Sequence, residues 1–456
     1  MKKSTIWLAP LLSVFLFFIL KNEVTSLTHE ACLCAAITFW TAVWWVFEPV
    51  PIPVSSLLPI SLFPMFGILN KKQVAEAYGH WLIILLMGGF LLSTAMEKSG
   101  AHKRLALMMI HRFGQKSDKG LVIAFMLAAA SLSMWISNTA TTLMLLPIVI
   151  AICSQTENKK LQIALLLGIA YAANIGGLGT PIGSPPNLIF VSQYNEFTGQ
   201  NIDFLTWMKF GIPIVIVFVP IMGFILGHRL KGKSKITLPE IGKWQSAEKR
   251  VLLIFALTSL AWVTRNMGGY GWAHQLGLKG ANDASVALLA VVALFSFKDS
   301  QGEPLLDWDT AKRIPWGLLL LFSGGLCIGK AFATTGLSAY LGQKLELIQV
   351  LPLYLFIILL CLAVTFLTEI TSNTATTAIL MPILGTAASH AEMSHLHFMV
   401  PATLSASCAF MLPVATAPNA VVYGSDMFPL KTMMRFGLIM NFIGVFIVGS
   451  LCYILL

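Results

Sequence analysis

SNTATT, at Ser137–Thr142, returns unchanged at Ser372–Thr377, and a proline follows each copy at the same distance, Pro147 and Pro382. Both copies lie inside long apolar stretches. Hydroxyls, amides and free backbone groups are costly in hydrocarbon unless something satisfies them. A single cluster of this kind reads as glue between helices. Two copies in equivalent surroundings point instead to a paired binding site between repeats, as transporters build near the bilayer midplane.

The rest of the composition agrees with a membrane setting. Of the 456 residues, 57% are hydrophobic and only 11% charged, a balance outside the range of soluble domains. The chain is therefore read as an all-α polytopic membrane protein. Its net charge of +10 comes from lysines and arginines gathered in short loops. Membrane topology accounts for that pattern better than nucleic acid does, and no nucleic-acid partner is expected. The seven cysteines lie in or beside apolar segments, with neither metal spacing nor a disulfide framework, and read as small buried hydrophobes. After Lys2–Lys3 the N-terminal run resembles a signal peptide in charge and length. No small-residue cleavage site follows it, so residues 1–30 are expected to hold a first transmembrane helix.

Working outward from the hexapeptides, the segment 120–156 is free of charge. It is too short for two crossings and long for one. Two half-helices of about 14 residues meeting at a polar tip fit it best, as a re-entrant hairpin whose tip must be covered by protein or water. The next apolar stretch, 160–197, holds GGLGTPIGSPPN from Gly176 to Asn187. Four glycines and three prolines in twelve residues break a helix at mid-membrane. The second half repeats this plan: a hairpin at 350–386, then a broken helix at 398–427 interrupted by LPVATAPN, Leu412–Asn419. Gly183, Ser184, Pro186 and Asn187 align with Ala415, Thr416, Pro418 and Asn419. LLLLFSGGL, Leu318–Leu326, likewise resembles ILLMGGF, Ile84–Phe90. Gly89 precedes Ser137 by 48 residues and Gly325 precedes Ser372 by 47.

Further spans are expected at 5–20, 31–47, 53–69, 81–97, 207–230, 251–266, 283–297, 315–333 and 436–455. Amphipathic surface stretches are expected at 98–119 and 334–348. This divides the chain into the N-terminal helix (1–30), a first repeat (31–230), a cytoplasmic linker (231–250) and a second repeat (251–456). With the basic loops 98–119 and 228–250 placed inside, the N-terminus is cytoplasmic. Five crossings then separate the hairpins. The repeats are inverted, and the C-terminus ends outside. Lys71–Lys72, in an outer loop, argue mildly the other way.

Two tips and two breaks should meet as one site. They offer hydroxyls, asparagine amides, free carbonyls and helix N-termini, and no lysine or arginine. Helix N-termini hold an anion only modestly, so a dianion would need bound cations. Unwound carbonyls with Ser, Thr and Asn oxygens suit Na⁺. Carboxylate cages for Ca²⁺ and transition-metal spacings are missing. Glu369 is the one charge within the hairpin cores, where the first repeat has Met134. It reads either as a hydrogen-bond partner steadying the tip or as a contributor to the neighbouring cation site.

The doubled SNT motif, the GSPPN and ATAPN breaks and the run WWVFEPVPIPVSSLLP (Trp44–Pro59) resemble the divalent anion/sodium symporter family, in particular its INDY-type dicarboxylate transporters. The resemblance covers essentially the whole chain. It implies about 11 transmembrane helices, a homodimer in the cell (inner) membrane, and an elevator movement of a transport domain against a scaffold. It implies at least two Na⁺ sites: one from Ser133, Ser137, Asn138 and the backbone of Gly183, the other from Thr368, Thr371, Asn373 and the backbone of Ala415. Substrate carboxylates would meet Asn138, Thr139, Ser184, Asn373, Thr374 and Thr416. The expected function is symport of Na⁺ with C4-dicarboxylates such as succinate, malate and fumarate. The alternatives are a sodium-independent dicarboxylate exchanger and a tricarboxylate- or sulfate-preferring member of the family. An enzyme is not expected, since hydrolase motifs such as HExxH and GxSxG are missing.

Overall fold

The computed structural model describes residues 2–114, 116–266, 270–343 and 351–456, and among these residues there is no β-strand. The first half contains α1 (Lys2–Glu23), α2 (His29–Phe47), α3 (Ile52–Ser55), α4 (Leu57–Met65), α5 (Lys71–Tyr78), α6 (Trp81–Ser99), α7 (Ala101–Phe113), α8 (Asp118–Ser133), α9 (Asn138–Cys153), α10 (Lys159–Gly176), α11 (Pro185–Thr198) and α12 (Phe204–Gly227). The second contains α13 (Ser246–Thr264), α14 (Trp272–Gln275), α15 (Asp283–Ser296), α16 (Trp308–Ala311), α17 (Trp316–Thr335), α18 (Leu337–Gln343), α19 (Leu353–Thr368), α20 (Asn373–His390), α21 (His395–Ala406), α22 (Ala417–Tyr423) and α23 (Leu430–Leu455). From α6 to α12 and from α17 to α23 the same order of elements recurs: a long helix, a short one, two hairpin arms, two halves of a broken helix and a closing helix.

Among the described residues, six helical stretches are long and apolar enough to cross a membrane: Ser4–Glu23, His29–Phe47, Lys71–Ser99, Phe204–Gly227, Trp316–Thr335 and Leu430–Leu455. Outward faces carry apolar side chains, such as Trp7, Leu11 and Phe15 on α1, as a lipid-facing helix requires. At the centre, α10 is buried along almost its whole length from Leu161 to Gly176. The arms α8 and α9 pack on it, and the halves exchange partners around it. The second part of the first broken helix, α11, packs on the second hairpin arm α20, while α22 packs on α9 of the first hairpin.

Three expectations differ from the structure. The span expected over 53–69 is two short helices, broken at Ser56. Pro51, Pro53, Pro59 and Pro64 crowd this stretch, and each removes a backbone donor. The Ser56 hydroxyl donates to the Ile52 carbonyl (2.7 Å) and accepts from the Trp45 indole (3.0 Å). The surface stretch expected over 98–119 ends at Phe113, and the hairpin arm begins at Asp118 with Ser117 as its cap, accepting from Gly120 N (3.0 Å). One of its cations is also buried. Arg104 donates to Glu248 (2.7 Å) and to the carbonyls of Gly242 and Lys243, and stacks 4.7 Å over the Trp244 ring. The linker 231–250 is therefore strapped across α7 and is not a free loop. Part of the amphipathic stretch expected at 334–348, residues 344–348, and the first residue of the hairpin expected at 350–386 lie outside the described residues.

Candidate functional site

Each hexapeptide makes a tip with its serine at the cap position of the following helix. Serine is a favoured helix cap because its oxygen accepts from the free N–H groups of the first turn. Ser137 accepts from Ala140 N (3.1 Å), and α9 starts at Asn138. Ser372 takes the same position before α20, but its side chain makes no capping hydrogen bond there. One turn further on, Thr142 Oγ1 donates to the Asn138 carbonyl (2.9 Å) and Thr377 Oγ1 to the Asn373 carbonyl (2.8 Å). That bond holds both hydroxyls inside the helix without an external partner.

The two breaks also share a device. Asn187 and Asn419 are both fully buried. The Asn187 amide donates to the carbonyls of Gly177 and Thr180, each at 2.8 Å. The Asn419 amide donates to those of Ala409 and Leu412, each at 3.1 Å. In both cases the acceptors lie ten and seven residues earlier. An unwound segment leaves carbonyls without helical partners, and one asparagine per break takes two of them.

Tip and break then meet to form an oxygen cluster in each half. In the first, the inward side-chain atom of Asn138 stands 2.5 Å from Ser133 Oγ and 3.2 Å from the carbonyl oxygens of both Gly183 and Ala173. With its nitrogen turned inward, the amide donates to these acceptors. The inward nitrogen satisfies these oxygens in the present arrangement, and a small hard cation would take its place only with the amide turned over. The wall is close: a Cβ on Gly177 would fall 2.6 Å from the end of the Asn138 side chain and 3.0 Å from the Gly183 carbonyl. In the second half, the single proton of Thr368 Oγ1 is shared between two acceptors, Asn373 Oδ1 (2.6 Å) and the Ala406 carbonyl (2.9 Å).

Several anticipated residues are turned to other partners. The Ser137 hydroxyl caps its own helix. Thr371 Oγ1 pairs with Thr376 Oγ1 (2.6 Å) and donates to the Leu367 carbonyl (2.8 Å). The carbonyl that joins Thr368 and Asn373 belongs to Ala406, whereas Ala415 donates its N–H to Leu412 within the break. Thr139 is half-buried at the first tip and Thr374 is buried at the second.

The halves are linked through the hydroxyls at the starts of α11 and α22. Asn174, on α10, donates to Thr416 Oγ1 (3.0 Å) and to Asn419 Oδ1 (3.4 Å). Across the pseudo-equivalent gap, Ser407 and Ser184 hydroxyls stand 3.5 Å apart. Asn187 Oδ1, the counterpart of Asn419 Oδ1, is buried with no donor. Sequence reasoning aligned Asn187 with Asn419 but assigned neither a role. For Asn174 the signal was a lone amide in the run 163–176 of α10, which is otherwise apolar but for Tyr171.

Glu369 is buried, and its carboxylate is surrounded by donors. Oε1 accepts from Phe410 N (2.7 Å), Met411 N (2.9 Å) and Asn441 Nδ2 (2.8 Å), and Oε2 accepts from Leu412 N (3.0 Å). Of its two expected readings, these contacts match the structural one: the side chain fastens the second break to the second tip.

Comparison with known proteins agrees with this architecture. The family model described as "Citrate transporter" matches residues 42–396. The sodium-dependent dicarboxylate transporter SdcS of Staphylococcus saprophyticus is 36% identical over 473 residues, covering 98% of this chain and 90% of the relative. SdcS of Staphylococcus aureus is 38% identical over 471 residues, covering 98% and 89%. Two solved structures share the fold at low identity. The YdaH transporter of Alcanivorax borkumensis has a TM-score of 0.61 at 12% identity, covering 94% of this chain and 98% of that one. MtrF of Neisseria gonorrhoeae has a TM-score of 0.59 at 14%, covering 96% and 97%. Fold and likeness together define a multi-pass membrane transporter, not an enzyme. The chain belongs to the divalent anion/sodium symporter family, as its motifs imply.

Proposed function

We propose that this protein is a symporter coupling Na⁺ entry to uptake of C4-dicarboxylates such as succinate, malate and fumarate. The observation that carries the reading is the pair of oxygen clusters, Ser133–Asn138–Gly183–Ala173 and Thr368–Asn373–Ala406, neither containing a cationic side chain. The sodium-dependent dicarboxylate relatives support it. Each cluster would hold one Na⁺. Ser137 would complete the first site beside the Gly183 carbonyl, and Thr371 with the backbone of Ala415 the second, once the Ser137 and Thr371 hydroxyls leave their present partners. Asn138, Thr139, Ser184, Asn373, Thr374 and Thr416 would meet the substrate carboxylates.

Electrostatics gives the coupling. A C4-dicarboxylate carries two negative charges near neutral pH, its carboxyls titrating around 4 to 5. Helix N-termini contribute about half a charge each. Binding without cations would leave net negative charge in a low-dielectric site, a costly state. Sodium should therefore tighten the substrate, and by linkage the substrate tightens sodium by the same factor. Succinate titrations in sodium and in choline buffer test this. We expect binding to be weaker by at least about tenfold in choline, equivalent to about 1.4 kcal/mol. Equal affinity would favour the sodium-independent exchanger.

The motion we propose is an elevator. The body α8–α12 with α19–α23 would move as a transport domain against a scaffold of α1–α6 and α13–α17 in a homodimer, with about 11 crossings, the N-terminus cytoplasmic and the C-terminus outside. Single cysteines near Lys119 and near His390 should label from the inside and the outside respectively. Labelling of both from one face would end the inverted-repeat reading, and a monomer mass in lipid nanodiscs would end the dimer.

A further inference from the structure

Three helix ends meet at one corner of the molecule, far in sequence from the tips: the start of α10, the end of α12 and the start of α23. Between them runs a groove of about 400 Å³. Among the described residues, five basic side chains rim it, Lys160, His228, Arg229, Lys431 and Arg435, and no acidic one lines it. The lysines and arginines of this rim are exposed, and among the described residues none of them forms an ion pair. Gathered like charges repel one another, and the nearby carboxylate of Glu157 lines the adjoining cavity beside Lys160 and Arg229 without forming an ion pair with either. Below the rim the walls are apolar, formed by Ile163, Leu226, Phe436 and Ile439. The same apolar surface continues outward along α12, where Ile221 and Phe224 are exposed. Both α12 and α23 are long and apolar enough to cross a membrane, so the rim sits where a spanning helix leaves hydrocarbon for water.

A cationic mouth above an apolar wall at that depth matches one ligand chemistry, a phosphate-bearing head on acyl chains. Basic pockets between transmembrane helices hold anionic headgroups in this way. A dicarboxylate would leave the apolar walls unused, and the groove contains none of the site residues described above. We propose that the groove binds the headgroup of an anionic phospholipid. The phosphate sits among Lys160, Arg229, Lys431 and Arg435, the Thr432 hydroxyl donates to it, and an acyl chain lies along Ile163, Leu226 and Ile439. Because α12 closes the first repeat and α23 the second, the lipid bridges both halves at a joint where they already pack, a Cβ on Gly444 reaching within 3.1 Å of the Phe218 ring.

The test is native mass spectrometry of the full chain in detergent, titrated with dioleoyl phosphatidylglycerol or dioleoyl phosphatidylcholine. We expect retained adducts of the anionic lipid only, and no displacement by millimolar inorganic phosphate. Lys431→Gln with Arg435→Gln removes two of the cations, each contributing about 1 kcal/mol near a charged surface, so binding of phosphatidylglycerol should fall about thirtyfold. The thermal midpoint in lipid-free detergent should not change. Equal retention of both lipids, unaltered binding by a folded double variant, or displacement by free phosphate would each overturn the proposal. If the double variant does not fold, the comparison of the two lipids on the parent chain decides alone.

Discussion

Three residues before each SNT serine, the halves use different atoms at the same position. In the first half this is Met134, whose main-chain carbonyl accepts from the Thr180 hydroxyl in the break. In the second it is Glu369, whose carboxylate accepts from three consecutive N–H groups of the break and from Asn441. The reason lies in the loops. Gly183 lets the first break lie against the tip: a Cβ there would stand 2.7 Å from the Gly177 carbonyl and 3.0 Å from that of Met134. Main chain can then meet a short hydroxyl directly. The aligned second loop has Ala415 for Gly183 and Leu412 for Thr180. It lacks both the open space and the hydroxyl, so a longer side chain spans the gap. Equivalent positions in a repeat can thus conserve a connection while exchanging backbone for side chain.

The largest consequence should follow from removing the long side chain. Glu369→Ala would leave the buried Phe410 N–H, the half-buried N–H groups of Met411 and Leu412, and the Asn441 amide without this acceptor. We expect a loss of about 3–5 kcal/mol, read as a large drop in the thermal midpoint in detergent. A loss below about 1 kcal/mol would mean the break is held by something other than this carboxylate.

Next come the two asparagines, which test whether the oxygen clusters are functionally equal. Asn138→Ala and Asn373→Ala each delete the central ligand of a cluster while the capping serine remains. If each lost contact is worth about 1–3 kcal/mol, uptake below saturating sodium should fall by about a hundredfold in either variant, with folded protein still in the membrane. Near-parent transport by one variant would show that only one half carries a coupled cation.

A smaller effect is expected at Thr180. Thr180→Val keeps the shape and removes the donor to Met134, leaving one carbonyl unpaired at a cost of about 1–2 kcal/mol. Its shift in thermal midpoint should be less than that of Glu369→Ala. Equal shifts would mean the first break depends on its side-chain bond as much as the second, contrary to the contrast drawn from the glycines.

The hairpins and breaks were legible because the signals behind them are local. A charge-free stretch of the wrong length for whole crossings predicted two half-helices, and α8 and α9 are each 16 residues long. Clustered Gly and Pro predicted the breaks, since no helix accommodates them. Less legible was the stretch after Trp44. There apolar composition suggested one crossing, while four prolines divided it into two short helices.

Sequence alone determined that there are two copies of one tip and one break, and that the polar groups of both are neutral apart from Glu369. Tertiary structure decided which oxygens face one another. The Asn174 amide meets Thr416 across 242 residues of chain, and Asn138 meets the carbonyls of Ala173 and Gly183 rather than the hydroxyl of Ser137. Periodicity and turn chemistry act over a few residues and say where a backbone group is freed. Which partner satisfies that group depends on packing between helices distant in sequence, where a glycine that permits contact and a carboxylate that spans a gap can do the same work.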